Sequence, residues 1–241
     1  MVRSALVLHG GGGPATVAPL VAHLSGAFAV EAPVHPGWNG TATVVDDTIT
    51  TLAARYLEEL VSAGHRDVAL VGSSVGGWIA AEMAVLDAHR DAADRVIGRI
   101  VLIDTVGFDV PGEPIRDFFA LDARGVAEYS WADPARGYID PATRTPEELV
   151  TMRGNLASLR GYAGDPYMHD PGLLERVGTL AIPTLVLWGD ADRIVTPAYG
   201  RAVATAIPGA EFVVIAAAGH LPHLEQPGAT AAVIDAFLTG V

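Results

Sequence analysis

The stretch "VALVGSSVGGWIAAEMAV", residues 68–85, decides the fold. A β-branched apolar run stops at Gly72, two serines follow, and Gly76-Gly77 leads into an alanine-rich segment. Gly72-Ser73-Ser74-Val75-Gly76 matches G-x-S-x-G between a predicted strand and a predicted helix. A serine on so sharp a turn projects its hydroxyl from the edge of a sheet, on a strained backbone. Small residues are needed two before and two after it, because their Cα atoms crowd each other. The helix start also leaves the Val75 N–H free to face developing negative charge. Ser74 is therefore the candidate nucleophile and Ser73 a small neighbour. The bland reading is a glycine-rich turn without chemistry, so the rest of the chain has to decide.

Outward from this turn, apolar runs alternate with helical patterns. "SALVLHG" (4–10), "AFAVEAP" (27–33), "DVALVG" (67–72), "GRIVLIDT" (98–105), "IPTLVLWGD" (182–190) and "AEFVVIAAAG" (210–219) read as strands. "PATVAPLVAHL" reads as a helix, as does "TVVDDTITTLAARYLEELVSAG" (43–64), with Leu52, Tyr56, Leu57 and Leu60 on one stripe and Gly64 as a C-terminal cap. Such alternation predicts an α/β fold: an open, mostly parallel sheet of six strands with helices on both faces. The rhythm breaks from about Pro111 to Pro171, where no strand is evident and Phe118, Phe119, Tyr129, Trp131, Tyr138, Tyr162 and Tyr167 gather. A long insertion between sheet strands predicts a small helical cap. The expected division is a core of residues 1–110 and 172–241 and a cap of residues 111–171.

The 241 residues suit one such domain, and half of them are apolar. All 15 basic residues are arginine, against 28 acidic ones, for a net charge of −13. That balance argues against a nucleic-acid partner and an anionic membrane surface. With no cysteine, disulfides, thiolate metal sites and a cysteine nucleophile are excluded. No apolar window is long enough for a membrane span, and the first residues lack the pattern of a signal peptide, so a cytoplasmic location is expected. No histidine pair has helical i, i+4 spacing, and His220 and His223 flank Pro222, so no metal site is expected. Oligomeric state leaves no signal in the chain.

A serine hydroxyl needs a base, and the base needs an orienting acid. "LVLWGDADRIVTP" ends a strand at Gly189 and offers Asp190 and Asp192; "IAAAGHLPHLEQP" ends another at Gly219 and offers His220, then His223. Each candidate lies just past a strand's carboxyl end, the edge where ligands bind in open parallel sheets. His220, first after the glycine, is preferred to His223. Asp190, Asp192 and Asp104 compete for the acid. Asp190 should still point along the strand, whereas Asp192 lies far enough into the turn to swing toward the histidine loop. An oxyanion needs two N–H donors, and the run His9-Gly10-Gly11-Gly12-Gly13 can supply the second from Gly11, beside Val75. A rival reading takes Gly10-x-Gly12-x-x-Ala15 with Glu31 as a dinucleotide fingerprint. Pro14 inside the turn argues against it, and it leaves the series Ser74, Asp192, His220 unexplained, so no cofactor is expected. His9 is read as structural, and His35 and His169 as solvated loop residues.

Taken together, "LVLHGGGG", "VGSSVGG", "LVLWGDADRIV" and "AGHLPHLEQP" resemble the oxyanion strand, nucleophile elbow, acid loop and histidine loop of the α/β-hydrolase superfamily. The resemblance spans nearly the whole chain. It implies a Ser-His-Asp mechanism with Ser74, His220 and Asp192, Asp192 matching the acid of G-x-x-D, and a cap after the strand containing Ile103. "EQP" is similar to serine hydrolases of esters and of carbon–carbon bonds and to cofactor-free haloperoxidases. Dehalogenases and the usual epoxide hydrolases carry Asp at the elbow, which Ser74 argues against. Two departures stand out. The family's loop after the second strand is here "VHPGWNGT" (34–41), with Val34 where an acid is usual; Gly12, Trp38 and Asn39 are the expected pocket residues. The chain also starts at the strand carrying His9, so the family's first two strands are expected to be absent.

The expected function is cleavage of a small acyl compound, a carboxylic ester first. Thioesterase, lactonase, C–C hydrolase and perhydrolase chemistry share the same nucleophile. A non-catalytic ligand receptor on this fold is the competing class.

Overall fold

The computed structural model describes residues 3–45 and 47–240. In chain order the regular elements begin with β1 (Arg3–Leu8), α1 (Ala18–Leu24), β2 (Phe28–Glu31), α2 (Ile49–Ser62), β3 (Val68–Ser73) and α3 (Val75–Ala88). There follow β4 (Ile97–Ile103), β5 (Gly107–Phe108), α4 (Ala123–Ser130), α5 (Pro134–Gly137), α6 (Pro146–Ala163) and β6 (His169–Asp170). The chain closes with α7 (Leu173–Arg176), β7 (Thr184–Gly189), α8 (Pro197–Ala206), β8 (Glu211–Ile215), α9 (Pro222–Glu225) and α10 (Pro227–Thr239).

Six strands form one sheet in the order β2-β1-β3-β4-β7-β8, and every pairing is parallel. The alternation of side chains in each strand divides the core in two. Ala5, Val7, Val101, Ile103, Leu185 and Leu187 face α1 and α10, where Leu20, Leu24, Ile234 and Leu238 cover them. Leu6, Leu8, Ile100, Leu102, Val186 and Trp188 face the other way, toward α2, α3 and α8. Burial on both faces explains why the strands read as unbroken apolar runs rather than alternating ones. The strand order reverses between β1 and β3, and the crevice at such a switch point is where the sheet can take a ligand.

Three expectations change. The helix read over 43–64 starts at Ile49, because Thr48 caps it: its hydroxyl accepts from Thr51 N (3.1 Å), and Thr51 Oγ1 accepts from Thr48 N (2.7 Å). Val45 beyond that cap is largely exposed, and Asp46, inside the expected helix, lies outside the described residues. The stretch 111–171 is mainly short helices and the longer α6, but it is not strandless: β6 pairs with β5, Gly107 with His169 and Phe108 with Asp170. Two-residue strands carry no readable period. Finally, His35 is not a solvated loop residue. It is fully buried, its ring 3.8 Å from that of His9, while His169 is half-buried in β6.

The buried histidines form a network whose tautomers are set by their partners. His9 Nδ1–H donates to Gly10 O (2.8 Å), and His9 Nε2 accepts from His35 N (3.1 Å). His35 Nε2–H donates to His9 O (3.0 Å), leaving Nδ1 to accept from Tyr56 Oη (2.8 Å). Nearby, His223 Nε2–H donates to Thr16 O (3.0 Å). Burial pushes His9 and His223 down to about 4, and burial together with His9 holds His35 well below the usual range.

These neutral histidines link stability to pH. Between about pH 6.5 and pH 4 the unfolded chain takes up protons that the folded chain refuses, so each histidine's contribution is complete above that window and is lost as pH falls through it. Buried carboxyl groups held high, such as Glu82, act in the opposite direction, so a difference measurement is needed. Urea unfolding of wild type and His223→Leu across this window should give a shallower pH slope in the variant, by up to ~1.4 kcal/mol per pH unit. Equal slopes would show that His223 is not held neutral.

Candidate active site

The turn from β3 into α3 is as tight as its glycines imply. A Cβ at Gly72 would overlap the Gly76 carbonyl, and one at Gly76 would overlap Leu8 O at the end of β1. Ser74 between them has φ 54°, a left-handed value for which a serine needs a reason. The turn is held by Ser74 N donating to Ile103 O (2.9 Å). The hydroxyl so presented lies 3.0 Å from His220 Nε2. His220 Nδ1 lies 2.7 Å from Asp192 Oδ2, and Asp192 Oδ1 accepts from Ile194 N (2.8 Å) and Val195 N (3.2 Å). Residues from the ends of β3, β7 and β8 thus form one line of contacts, Ser74 to His220 to Asp192, with the acid fully enclosed. Such a line can take a proton from the hydroxyl onto imidazole and hold the resulting imidazolium.

The other candidates are placed elsewhere. Asp190 turns back to accept from Ala218 N (3.3 Å). His223 points to Thr16 rather than to Ser74. Asp104 is buried beside the line: one of its carboxylate oxygens, one of Asp192's and a ring nitrogen of His220 lie within 4.8 Å of one another. Both His220 nitrogens already have protein partners, which leaves that cluster no free imidazole to offer an ion. Glu31, the acid of the rival dinucleotide reading, lies against His65 (3.1 Å).

Gly10, Gly11, Gly12, Ser74, Val75 and His220 border a cavity of about 150 Å³, roofed by Val106, Ile115, Phe118, Trp131, Leu159, Tyr167, Met168 and Ile194. No Asp, Glu or Arg side chain lines it. Gly12 is where the sequence places it, but Trp38 and Asn39 are not on the wall. Trp38 is buried behind the glycine loop and donates from Nε1 to Gly11 O (2.9 Å). Asn39 N donates to Asn155 Oδ1 (2.8 Å), and Asn155 Nδ2 reaches Asn39 Oδ1 (3.2 Å) and Gly12 O (3.4 Å). Both residues brace the loop from outside. Among the arginines of 111–171, Arg116, Arg124 and Arg160 stack on Tyr129, Tyr138 and Phe119 at 4.2–4.4 Å, and none of the six lines the cavity.

Sequence reasoning missed the groups that tie this roof to the two loops. Ser130 O accepts from His220 N (2.7 Å), and Tyr129 O accepts from Arg193 N (3.0 Å). Buried Glu225 accepts from Gly219 N through Oε1 (2.7 Å) and from Ala132 N through Oε2 (2.8 Å). Burial, the largest influence, lifts its carboxyl above the ordinary range, against the pull of those two N–H groups. Its one signal in the sequence is the single acid in "HLPHLEQP", just past the histidine.

Residues 5–233 match the model of the alpha/beta hydrolase family. A pimeloyl-[acyl-carrier protein] methyl ester esterase of Xanthomonas campestris pv. campestris is 28% identical over 247 residues, covering 97% of this chain and 92% of that protein. The dihydrolipoyllysine-residue acetyltransferase component of the acetoin cleaving system of Cupriavidus necator is 30% identical over 213 residues; the match takes in 79% of this chain but spans only about half, 52%, of that protein's length. In fold, a meta-cleavage product hydrolase from Pseudomonas fluorescens aligns over 99% of this chain and 91% of its own, with a TM-score of 0.78 at 17% identity. With six parallel strands, a strained serine at the strand-to-helix turn and a family match over nearly its whole length, the chain belongs to the alpha/beta hydrolase family.

Proposed function

We propose that this chain is a serine hydrolase that cleaves small, uncharged carboxylic esters through an acyl-enzyme, with residues 111–171 acting as a cap over the site. The observation that carries the reading is the line from Ser74 Oγ to His220 Nε2 (3.0 Å) and from His220 Nδ1 to Asp192 Oδ2 (2.7 Å), opening on an apolar cavity. Ser74 Oγ attacks the ester carbonyl while His220 takes its proton. Asp192 fixes the tautomer of His220 and stabilises the imidazolium. The N–H groups of Gly11 and Val75 receive the oxyanion: Val75 opens α3, where no intrahelical acceptor exists, and Gly11 lines the same cavity as Ser74. His220 then protonates the leaving alcohol, and a water, deprotonated by His220 in turn, releases the acid.

The cavity supports the substrate class. A space near 150 Å³ takes a group about the size of a benzene ring. Its apolar wall would leave an anionic acyl group unpaired. The related methyl ester esterase is the reason for placing esters ahead of thioesters, lactones, peracids and C–C bonds.

Ser74→Ala should fold normally and lose about 10⁴-fold or more in kcat. Ser73→Ala should keep most activity, because Ser73 Oγ is buried without a partner and nothing is lost with it. A fluorophosphonate should label wild type at Ser74 alone; an unlabelled, folded protein would point to the receptor class instead. Asp192→Asn should lose up to about 10⁴-fold in kcat with KM little changed. On p-nitrophenyl esters, kcat/KM should peak at short acyl chains and collapse by decanoate. A flat profile would mean that the acyl group lies outside the cavity.

A further inference from the structure

Asp104 takes no part in the line just described, yet it is built into its back wall. It is fully buried just past β4 and held at φ 43°, a left-handed value. It is laced to β7 twice: its N–H donates to Leu187 O (3.0 Å), and its Oδ1 accepts from Gly189 N (2.9 Å). Its Oδ2 is buried with no partner at all. A buried acceptor without a donor is costly, and one oxygen of this carboxylate lies within 4.8 Å of an Asp192 oxygen and a His220 ring nitrogen.

The two carboxyl groups are not equally suited to carry charge. Asp192 receives three donors: Ile194 N, Val195 N and His220 Nδ1. Asp104 receives one, Gly189 N. Two carboxylates this close, away from water, cannot both ionise at neutral pH. The charge belongs on the acid with the donors and the proton on the other. A proton on Asp104 also turns its orphaned oxygen from an acceptor into a donor, with the Asp192 carboxylate in its neighbourhood.

We propose that Asp104 is a positioning residue held as the neutral acid, its O–H donated to the Asp192 carboxylate. The catalytic consequence rests on the Ser74, His220 and Asp192 reading. The groups facing Asp104 agree with the assignment. Burial first, then the charge of Asp192, push its carboxyl well above the usual carboxylate range; Glu225 adds to the push and Gly189 N–H opposes it. The extra donor anchors Asp192 and spreads its charge. Less of that charge then acts on an imidazolium at His220 than a free carboxylate would exert.

Infrared difference spectra and pH profiles of Asp104→Asn and Asp104→Ala test this. Wild type at pH 7 should show the C=O stretch of a protonated carboxylic acid, shifted in D2O and absent from Asp104→Asn. An amide keeps both contacts, its N–H replacing the O–H and its oxygen facing Gly189 N. Asp104→Asn should therefore hold kcat within about threefold, with the acid limb of kcat/KM unmoved. Asp104→Ala should lose about tenfold or more in kcat at similar KM, and its acid limb should move to higher pH, because undispersed charge on Asp192 favours the imidazolium. If Asp104 is instead a carboxylate, the band is missing from wild type, and Asp104→Asn, which then removes a negative charge, moves the acid limb to lower pH. Either result overturns the proposal. Should Asp104→Ala fail to fold, the wild type and Asp104→Asn pair decides alone. Fluorophosphonate labelling separates the two readings: labelled protein without the band overturns only the role of Asp104, whereas the band in unlabelled protein overturns the nucleophile.

Discussion

The first turn of α3 lies so close against the end of β1 that no side chain fits between them. Gly76 sits under Leu8 O, and Gly72 sits under Gly76. This contact fixes how far the serine turn can rise above the sheet, and it holds Ser74 at a positive φ against its own preference. The strain is tolerable because the surroundings over-determine it: central parallel strands on either side, an apolar core on both faces, and the bond from Ser74 N to Ile103 O. Without the contact, the Val75 N–H and the Ser74 hydroxyl would not face the same small volume.

The glycine loop opposite is held by a different means. Glycines offer no side chain to anchor them, so the anchoring comes from outside, through His9 to Gly10 O, Trp38 to Gly11 O and Asn155 to Gly12 O. Three successive carbonyls are thereby turned away from the cavity, which leaves the N–H side of the loop toward it. Buried, neutral histidines suit the task. They offer one donor and one acceptor in fixed directions, and they add no charge beside the apolar cavity.

Much of this was legible in the chain. Six apolar runs and their intervening helices lead directly to the sheet, because strands buried on both faces leave the plainest hydrophobic signal. Ser74, Asp192 and His220 could be picked out because each follows a strand's carboxyl end, and a parallel sheet gathers such ends along one edge. What escaped depended on distant partners. Trp38 and Asn39 looked like pocket residues because the loop after the second strand often borders the pocket in the family the chain resembles, but Asn155, 116 positions away from Asn39, ties that loop outward against the glycines. His35 looked solvated in "VHPGWNGT" because nothing local indicates His9 and Tyr56. The start of α2 was misplaced because a Thr-Thr capping box lacks the acidic residue that usually marks one. The unpaired oxygen of Asp104 is a property of three strand ends meeting and has no counterpart in one dimension.

The backbone between Tyr129 and Ala132 touches both the acid loop, at Arg193, and the histidine loop, at Gly219 and His220, with Glu225 as the buried clasp. Those contacts are made by main-chain groups, so they depend on where the segment runs and hardly at all on which side chains it carries. The roof over the cavity can therefore vary in composition at positions such as Phe118, Trp131 or Leu159, and with them the shape of the cavity, without breaking those contacts. Its path is not free in the same way. Transplanting a roof from another member of the family would succeed or fail on whether the new segment crosses the loops at the height of Ser130, a matter of chain length and turn geometry that similarity in pocket residues would not reveal.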